Sequence, residues 1–413
     1  MLVDGQPVLL LCSDNHLGLA DHPRLRRAAA DAAERWGVGA GGSRLVAGTM
    51  TIHRRLEERL AGVTGRHASL LFGSRLLANA GAIAALARPG DVIFADEGNH
   101  ASIADGCRLS GAEVFLYGHG DVEHLRWGIG EAGGRGALIV SESVFSIDGE
   151  AAPLIELVEL ALRFGLRTVI DETHGLGACG PGGRGLLAEL ALDEQVDVIV
   201  GSLGTALGAH GGFVACDQTM ARYLVNAAST FAHATALAPP VVAGALAALE
   251  LLAERPRMVT RLALNAAVLR AGLGEAGWAV TGDRGAIMSL PIGEAQRAIG
   301  LAEAALAAGV FVEAIRPPAV PDAASRVRLA VMATHQASEL GAAAATLREA
   351  ARSVGVDPRS MARVSHDEAG LWTARAGLGA DGEPVAVDPA ATELTGATGV
   401  FDFEAPEPAR RAA

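Results

Sequence analysis

The chain contains no lysine: all 34 of its basic residues are arginine. Over most of the surface arginine simply stands in for lysine, but its absence excludes chemistry that needs a side-chain ε-amine, covalent capture of a carbonyl above all. Cysteine is scarce too. Cys12, Cys107, Cys179 and Cys216 lack paired spacing, which excludes a zinc framework or disulfide scaffold and leaves reduced core residues. No metal-ligand set is legible. A net charge of −13 offers no concentrated basic face, which argues against a nucleic-acid partner but leaves room for a locally basic pocket. Long apolar runs are missing as well. The most apolar stretch, Leu237 to Ala253, is broken by Pro239, Pro240 and Glu250, short of the roughly 20 uninterrupted residues a membrane span needs. With no charged leader before an apolar run and cleavage site, a cytoplasmic protein with no membrane partner is expected.

What is present is enough for a large core: half of the 413 residues are apolar. That length accommodates two domains, or one large domain with a smaller lobe. Short apolar runs alternate with helical patterns through the middle of the chain, the pattern of an α/β fold around a mostly parallel sheet. Strands are predicted at Ala68–Phe72, Asp91–Ala95, Glu113–Tyr117, Ala137–Ser141, Arg167–Asp171, Val196–Gly201 and Gly212–Cys216. Helices are predicted from about Ala78 and over Pro153 to Phe164. After Pro239–Pro240 come Ala/Leu-rich helices to about Arg270. A smaller α+β lobe follows, with strands near Trp278–Val280, Ala286–Leu290, Val310–Ala314 and Arg326–Val331 and a closing helix from Ala337 to Val354. The expected division is an N-terminal segment 1–45, a large domain 46–240, a small domain with its linking helix 241–356, and a Gly/Pro/Asp-rich extension 357–413. The extension reads as an extended, partly disordered tail or as an arm on a partner subunit.

Four segments could carry chemistry. Asp171-Glu172-Thr173-His174-Gly175 ends an apolar strand, where a carboxylate can face a ligand over the sheet edge or simply cap a helix. Gly201 to Gly208, reading Gly-Ser-Leu-Gly-Thr-Ala-Leu-Gly, follows another strand; its small residues allow close approach, and the Ser202 hydroxyl can meet a phosphate. Phe72 to Asn79 forms a strand-to-helix turn whose first amides point at an anion. Asn99-His100-Ala101-Ser102-Ile103 sets an imidazole after the next strand, a structural histidine if taken alone.

Taken together these segments resemble the α-oxoamine synthases. Gly37 to Arg44, then Gly48-Thr49, His53 and Leu56-Glu57, is similar to the opening signature of that family. Asn15-His16-Leu17-Gly18-Leu19 with His22-Pro23, Phe145 to Gly149 with Ala152-Pro153-Leu154, Pro317-Pro318 through Pro321, Arg326-Val327-Arg328 and His335 follow in the family's order. The resemblance runs from about Leu9 to Val354. It implies the pyridoxal-phosphate (PLP) dependent transferase fold type I, condensation of an amino acid with an acyl thioester of coenzyme A or a carrier protein, and a homodimer with sites between subunits.

The resemblance also implies roles. His100 would stack on the pyridine ring, Asp171 would bind its nitrogen, and Ser146 and His174 would flank its hydroxyl. Ser74, Ser202 and the amides of Arg75 and Leu76 would hold the phosphate, with Thr235 reaching that of the neighbouring subunit. Asn15 and Arg328 would hold the amino-acid carboxylate. Three departures stand out. The family's Schiff-base lysine falls at Thr205, the glycine after Ser74 is Arg75, and the aromatic before Leu-Gly-Leu is His16. Three readings stay open: non-covalent PLP with a replacement base, for which His210 is a candidate beside His100 and His174; a non-catalytic partner of a lysine-bearing homologue; or PLP-free acyl transfer from a thioester.

Overall fold

The computed structural model describes residues 1–3 and 5–360. Its main sheet contains seven strands: β1 (Ala68–Phe72), β2 (Val92–Asp96), β3 (Glu113–Tyr117), β4 (Gly136–Glu142), β5 (Arg167–Asp171), β6 (Val198–Ser202) and β7 (Gly212–Cys216). They lie in the order β1-β7-β6-β5-β4-β2-β3. The pairs from β6 to β3 are parallel, and β7 runs antiparallel to both β1 and β6. Helices in the crossovers cover both faces, so β2 is buried along its whole length and shows no polar alternation.

The strands predicted for the main sheet are present, with ends shifted by at most two residues. The helix expected from Ala78 begins earlier and runs Arg75–Leu86, because Ser74 caps it: its Oγ accepts the Leu77 N–H at 3.1 Å. This puts Arg75 and Asn79 one turn apart on one face of the helix.

The second lobe holds β8 (Ile287–Gly293), β9 (Glu313–Ile315) and β10 (Ser325–Ala330), antiparallel in the order β8-β10-β9. Helices Pro239–Glu254 and Arg257–Glu275 lead into it, and Ala337–Ser353 closes it. Two expectations are corrected here. Trp278–Val280 forms no strand: the Trp278 N–H caps the preceding helix through the Leu273 carbonyl, and only Thr281 bridges to Ser289. The strand expected over Val310–Ala314 divides, since Val310–Phe311 pairs with Leu9–Leu10 while Glu313–Ile315 pairs with β10. That first pairing ties the N-terminal segment to the lobe. The Leu11 carbonyl accepts the Ala330 N–H and the His16 carbonyl accepts the Ala333 N–H, both at 2.7 Å. The loop from Asp14 to Leu19 is thereby fixed against the lobe. Of the predicted extension, all beyond Ser360 lies outside the described residues. No helix among the described residues is long and apolar enough to cross a membrane.

Candidate active site

The parallel strands β4 and β5 end in Glu142 and Asp171, which are register partners. Two buried carboxylates therefore stand side by side, an unfavourable pairing unless a cation joins them. Arg75 supplies that cation. Its Nε donates to Asp171 Oδ2 and its Nη2 to Glu142 Oε2, each at 2.6 Å. Asn79, one helical turn on, donates to the same Asp171 oxygen at 2.6 Å, and the Thr173 N–H donates to Oδ1 at 2.9 Å. Burial alone would push the Asp171 carboxyl up; the Arg75 guanidinium and these donors outweigh it and hold the group at about 2. Asn79 Nδ2 also donates to Ser102 Oγ at 2.9 Å, and that hydroxyl meets His100 Nδ1 at 2.7 Å. His100, Ser102, Asn79 and Asp171 thus form one continuous network.

At the other end of Arg75, the first-turn amides of Arg75 and Leu76 lie where a helix has no acceptors of its own. Ser74 Oγ is engaged as the cap, and Ser202 Oγ accepts the Gly204 N–H at 3.0 Å. Gly212 opens β7 against this turn, and a Cβ there would stand 2.4 Å from the Ser74 carbonyl oxygen, so no larger residue fits.

Thr205 is buried, with its Oγ1 donating to the Thr173 carbonyl at 3.2 Å. Its turn is closed by the Gly208 N–H on the Thr205 carbonyl, and Gly208 has φ +59°. His210, the candidate base, is solvent-exposed. Thr235 is exposed too and forms a bridge with Ser43.

Arg328 is held by three acceptors. Its Nε donates to the Ser146 carbonyl at 2.7 Å, Nη2 to Asp14 Oδ1 at 2.7 Å and Nη1 to Glu313 Oε2 at 3.4 Å. Asn15, the expected companion of Arg328, spends its Oδ1 on the Leu19 and Ala20 amides at 2.9 and 3.2 Å. The carboxylate beside Arg328 is its neighbour Asp14. Ser146 Oγ stands 3.4 Å from Glu142 Oε1, so Ser146 links the Arg328 end of the cleft to the Arg75 end.

His174 and His16 meet between these ends, Nδ1 to Nε2 at 3.4 Å. Both rings are buried, and loss of solvation dominates their titration: His16 falls to about 4 and His174 well below the usual imidazole range. Asp14 joins them, with ligand atoms of all three residues within 4.8 Å of one another.

Asp14, Asn79 and Glu142 were not identified from sequence. Asp14 sits beside a motif residue and Asn79 lies one turn from Arg75. Glu142 could be found only from the strand register that sets it against Asp171.

Comparison with known proteins gives the family and the fold. Residues 6–347 match the family Aminotransferase class I and II. The 8-amino-7-oxononanoate synthase of Geobacter sulfurreducens is 44% identical over 359 residues, covering 86% of this chain and 92% of that protein. Among solved structures, Sphingomonas wittichii serine palmitoyltransferase superposes with a TM-score of 0.83 at 31% identity, covering 86% of this chain and 90% of that one. A lysine-to-alanine variant of S. paucimobilis serine palmitoyltransferase with a bound PLP–myriocin aldimine gives a TM-score of 0.82 at 31% identity, covering 85% and 89%. The family match, these likenesses and the order of the strands converge, and the chain belongs to the aminotransferase class I and II family, among the α-oxoamine synthases.

Proposed function

We propose that the protein condenses an amino acid with an acyl thioester, as α-oxoamine synthases do, using PLP held without a covalent bond. PLP is the cofactor of that family. The observation that carries the reading is the network His100–Ser102–Asn79–Asp171, kept intact in a chain that has no lysine. The lysine-to-alanine relative with PLP and myriocin bound gives a precedent for occupancy of such a cleft without that lysine's amine.

The chain's residues fit the cofactor at three of its corners. The amides of Arg75 and Leu76 with Ser74 and Ser202 suit a phosphate. His100 suits the ring face, and Ser146 with His174 the ring hydroxyl. At the fourth corner the fit has a condition: Asp171 is already bonded to Arg75, so the guanidinium must leave before a ring nitrogen can take its place. When bound, the cofactor supplies an electron sink for carbanion chemistry at the amino-acid Cα. The protein's own contributions are positional. Asp171, held ionised, favours a protonated ring nitrogen, and Arg328 offers a substrate carboxylate its Nη1, which makes only a 3.4 Å contact with Glu313. Thr205 Oγ1 donates to a carbonyl, and a hydroxyl forms no imine.

A homodimer belongs to the same reading. Thr235 is exposed, and Val38, Val46 and Leu76 expose apolar side chains at 82%, 86% and 46%, which supports a subunit interface. The test is titration with PLP followed by borohydride reduction and intact-mass analysis. A saturable spectral change without a phosphopyridoxyl adduct is expected. A stoichiometric adduct at an internal residue, or no binding at millimolar PLP, refutes the reading.

A further inference from the structure

We propose that Asp14, His16 and His174 form a binding site for one divalent transition-metal ion of the zinc or iron(II) type. His16 is the starting point. As a hydrogen-bonded core residue it is poorly served. Its buried Nδ1 makes no well-formed hydrogen bond among the described residues, the ring's backbone interaction being with Val331, and its Nε2 makes only the long contact of 3.4 Å to His174 Nδ1. Good hydrogen bonds to nitrogen donors fall at about 2.7–3.2 Å.

The same 3.4 Å separation suits two ligands of one ion. Imidazole nitrogens about 2.0–2.1 Å from a tetrahedral ion stand about 3.3–3.4 Å from each other. Asp14 completes a set of two imidazoles and one carboxylate, with all three ligand atoms inside 4.8 Å. That set leaves coordination positions open and is characteristic of catalytic zinc and non-haem iron(II). Arg328 holds Asp14 Oδ1 at 2.7 Å, which orients the carboxylate as ligating carboxylates are usually oriented and leaves Oδ2 for the ion. Its positive charge lowers the affinity, so the site should bind in the micromolar range rather than tighter.

The location gives the ion a use. His174 follows Thr173, whose carbonyl is bonded to Thr205, the position of the missing lysine. An ion there would polarise a carbonyl or a water molecule in a cleft that has no amine. The inference goes beyond the PLP reading and does not need it, because metal content is measured with no PLP present.

The test uses the full chain, stripped with a chelator and re-equilibrated with micromolar Zn2+ or Co2+. About one ion per chain by mass spectrometry is expected, with a visible d–d absorption for Co2+ and a Zn2+-dependent rise in thermal midpoint. His16→Phe puts a non-ligating ring in the same buried place and should keep the metal-free midpoint while weakening Zn2+ binding at least 100-fold; His16→Gln replaces it if the phenylalanine variant does not fold. Asp14→Asn should weaken binding at least tenfold. Absence of binding up to millimolar Zn2+, or stoichiometric binding unchanged in the His16 variant, overturns the proposal.

Discussion

Replacing Arg75 by glycine separates two effects that the structure couples. The guanidinium joins Asp171 and Glu142 at 2.6 Å each, and its side chain is only 13% exposed. Removing one partner of a buried ion pair costs about 3–5 kcal/mol, so cofactor-free Arg75→Gly should be clearly less stable than the native chain. Its affinity for PLP should move the other way. In the native chain the cofactor must first break the Arg75–Asp171 contact, a charge-assisted hydrogen bond worth about 1.5–3 kcal/mol. Without that step, binding should tighten roughly tenfold to a hundredfold. Thermal unfolding with and without PLP, together with an absorbance titration, reads both quantities. The expected pattern is a lower midpoint without PLP and a larger rise with it. Arg75→Gly binding PLP no more tightly than the native chain would show that Arg75 does not stand in the cofactor's place. The native chain carries a matching acid signature. The Asp171 carboxyl, lowered to about 2, adds stability that is complete above its unfolded value near 4 and is lost as pH falls toward 2. This component should shrink in the variant, where only the Asn79 and Thr173 donors remain to oppose burial.

Two further outcomes are expected. Thr205→Lys should turn PLP-loaded protein yellow and make the cofactor reducible by borohydride, despite an overpacking cost of about 1–3 kcal/mol in a buried turn; a folded, PLP-binding variant that stays colourless and non-reducible would show that position 205 does not face the aldehyde. His119, whose Nδ1 lies 2.8 Å from Asp96 Oδ1, is lowered by burial but raised more by Asp96, to about 10. Its contribution to stability is complete below about pH 6.5 and is lost as pH rises through 10, so the urea midpoint should fall between pH 7 and pH 10 in the native chain and fall less in His119→Gln.

Much of the molecule was written locally in the sequence. Apolar runs of five to seven residues between helical patterns dictate buried parallel strands, and hydrophobic burial needs no long-range information to select them. The glycine-rich signature was legible for a similar reason, although much of it proves architectural. Arg44 forks onto Glu57 at 2.7 and 3.0 Å, and His53 Nε2 meets the Leu237 carbonyl at 2.8 Å. The absence of lysine, and with it of any covalent anchor, was also fixed by the sequence, since no fold can supply a missing amine. What only the tertiary structure decided is where charged side chains find their partners. Arg75 reads in sequence only as a departure from glycine after Ser74; the register of β4 and β5 brings two carboxylates together and draws the guanidinium inward. Asn15 reads in sequence as the companion of Arg328; the fold spends its carbonyl on its own turn and sets the neighbouring Asp14 carboxylate against the guanidinium. His16 and His174 are 158 residues apart in sequence and meet only in the folded chain, His174 from the end of β5 and His16 from the N-terminal loop held to the second lobe. Such pairings follow from Coulomb attraction and desolvation between distant segments, which act only once the backbone has brought the groups within a few ångströms.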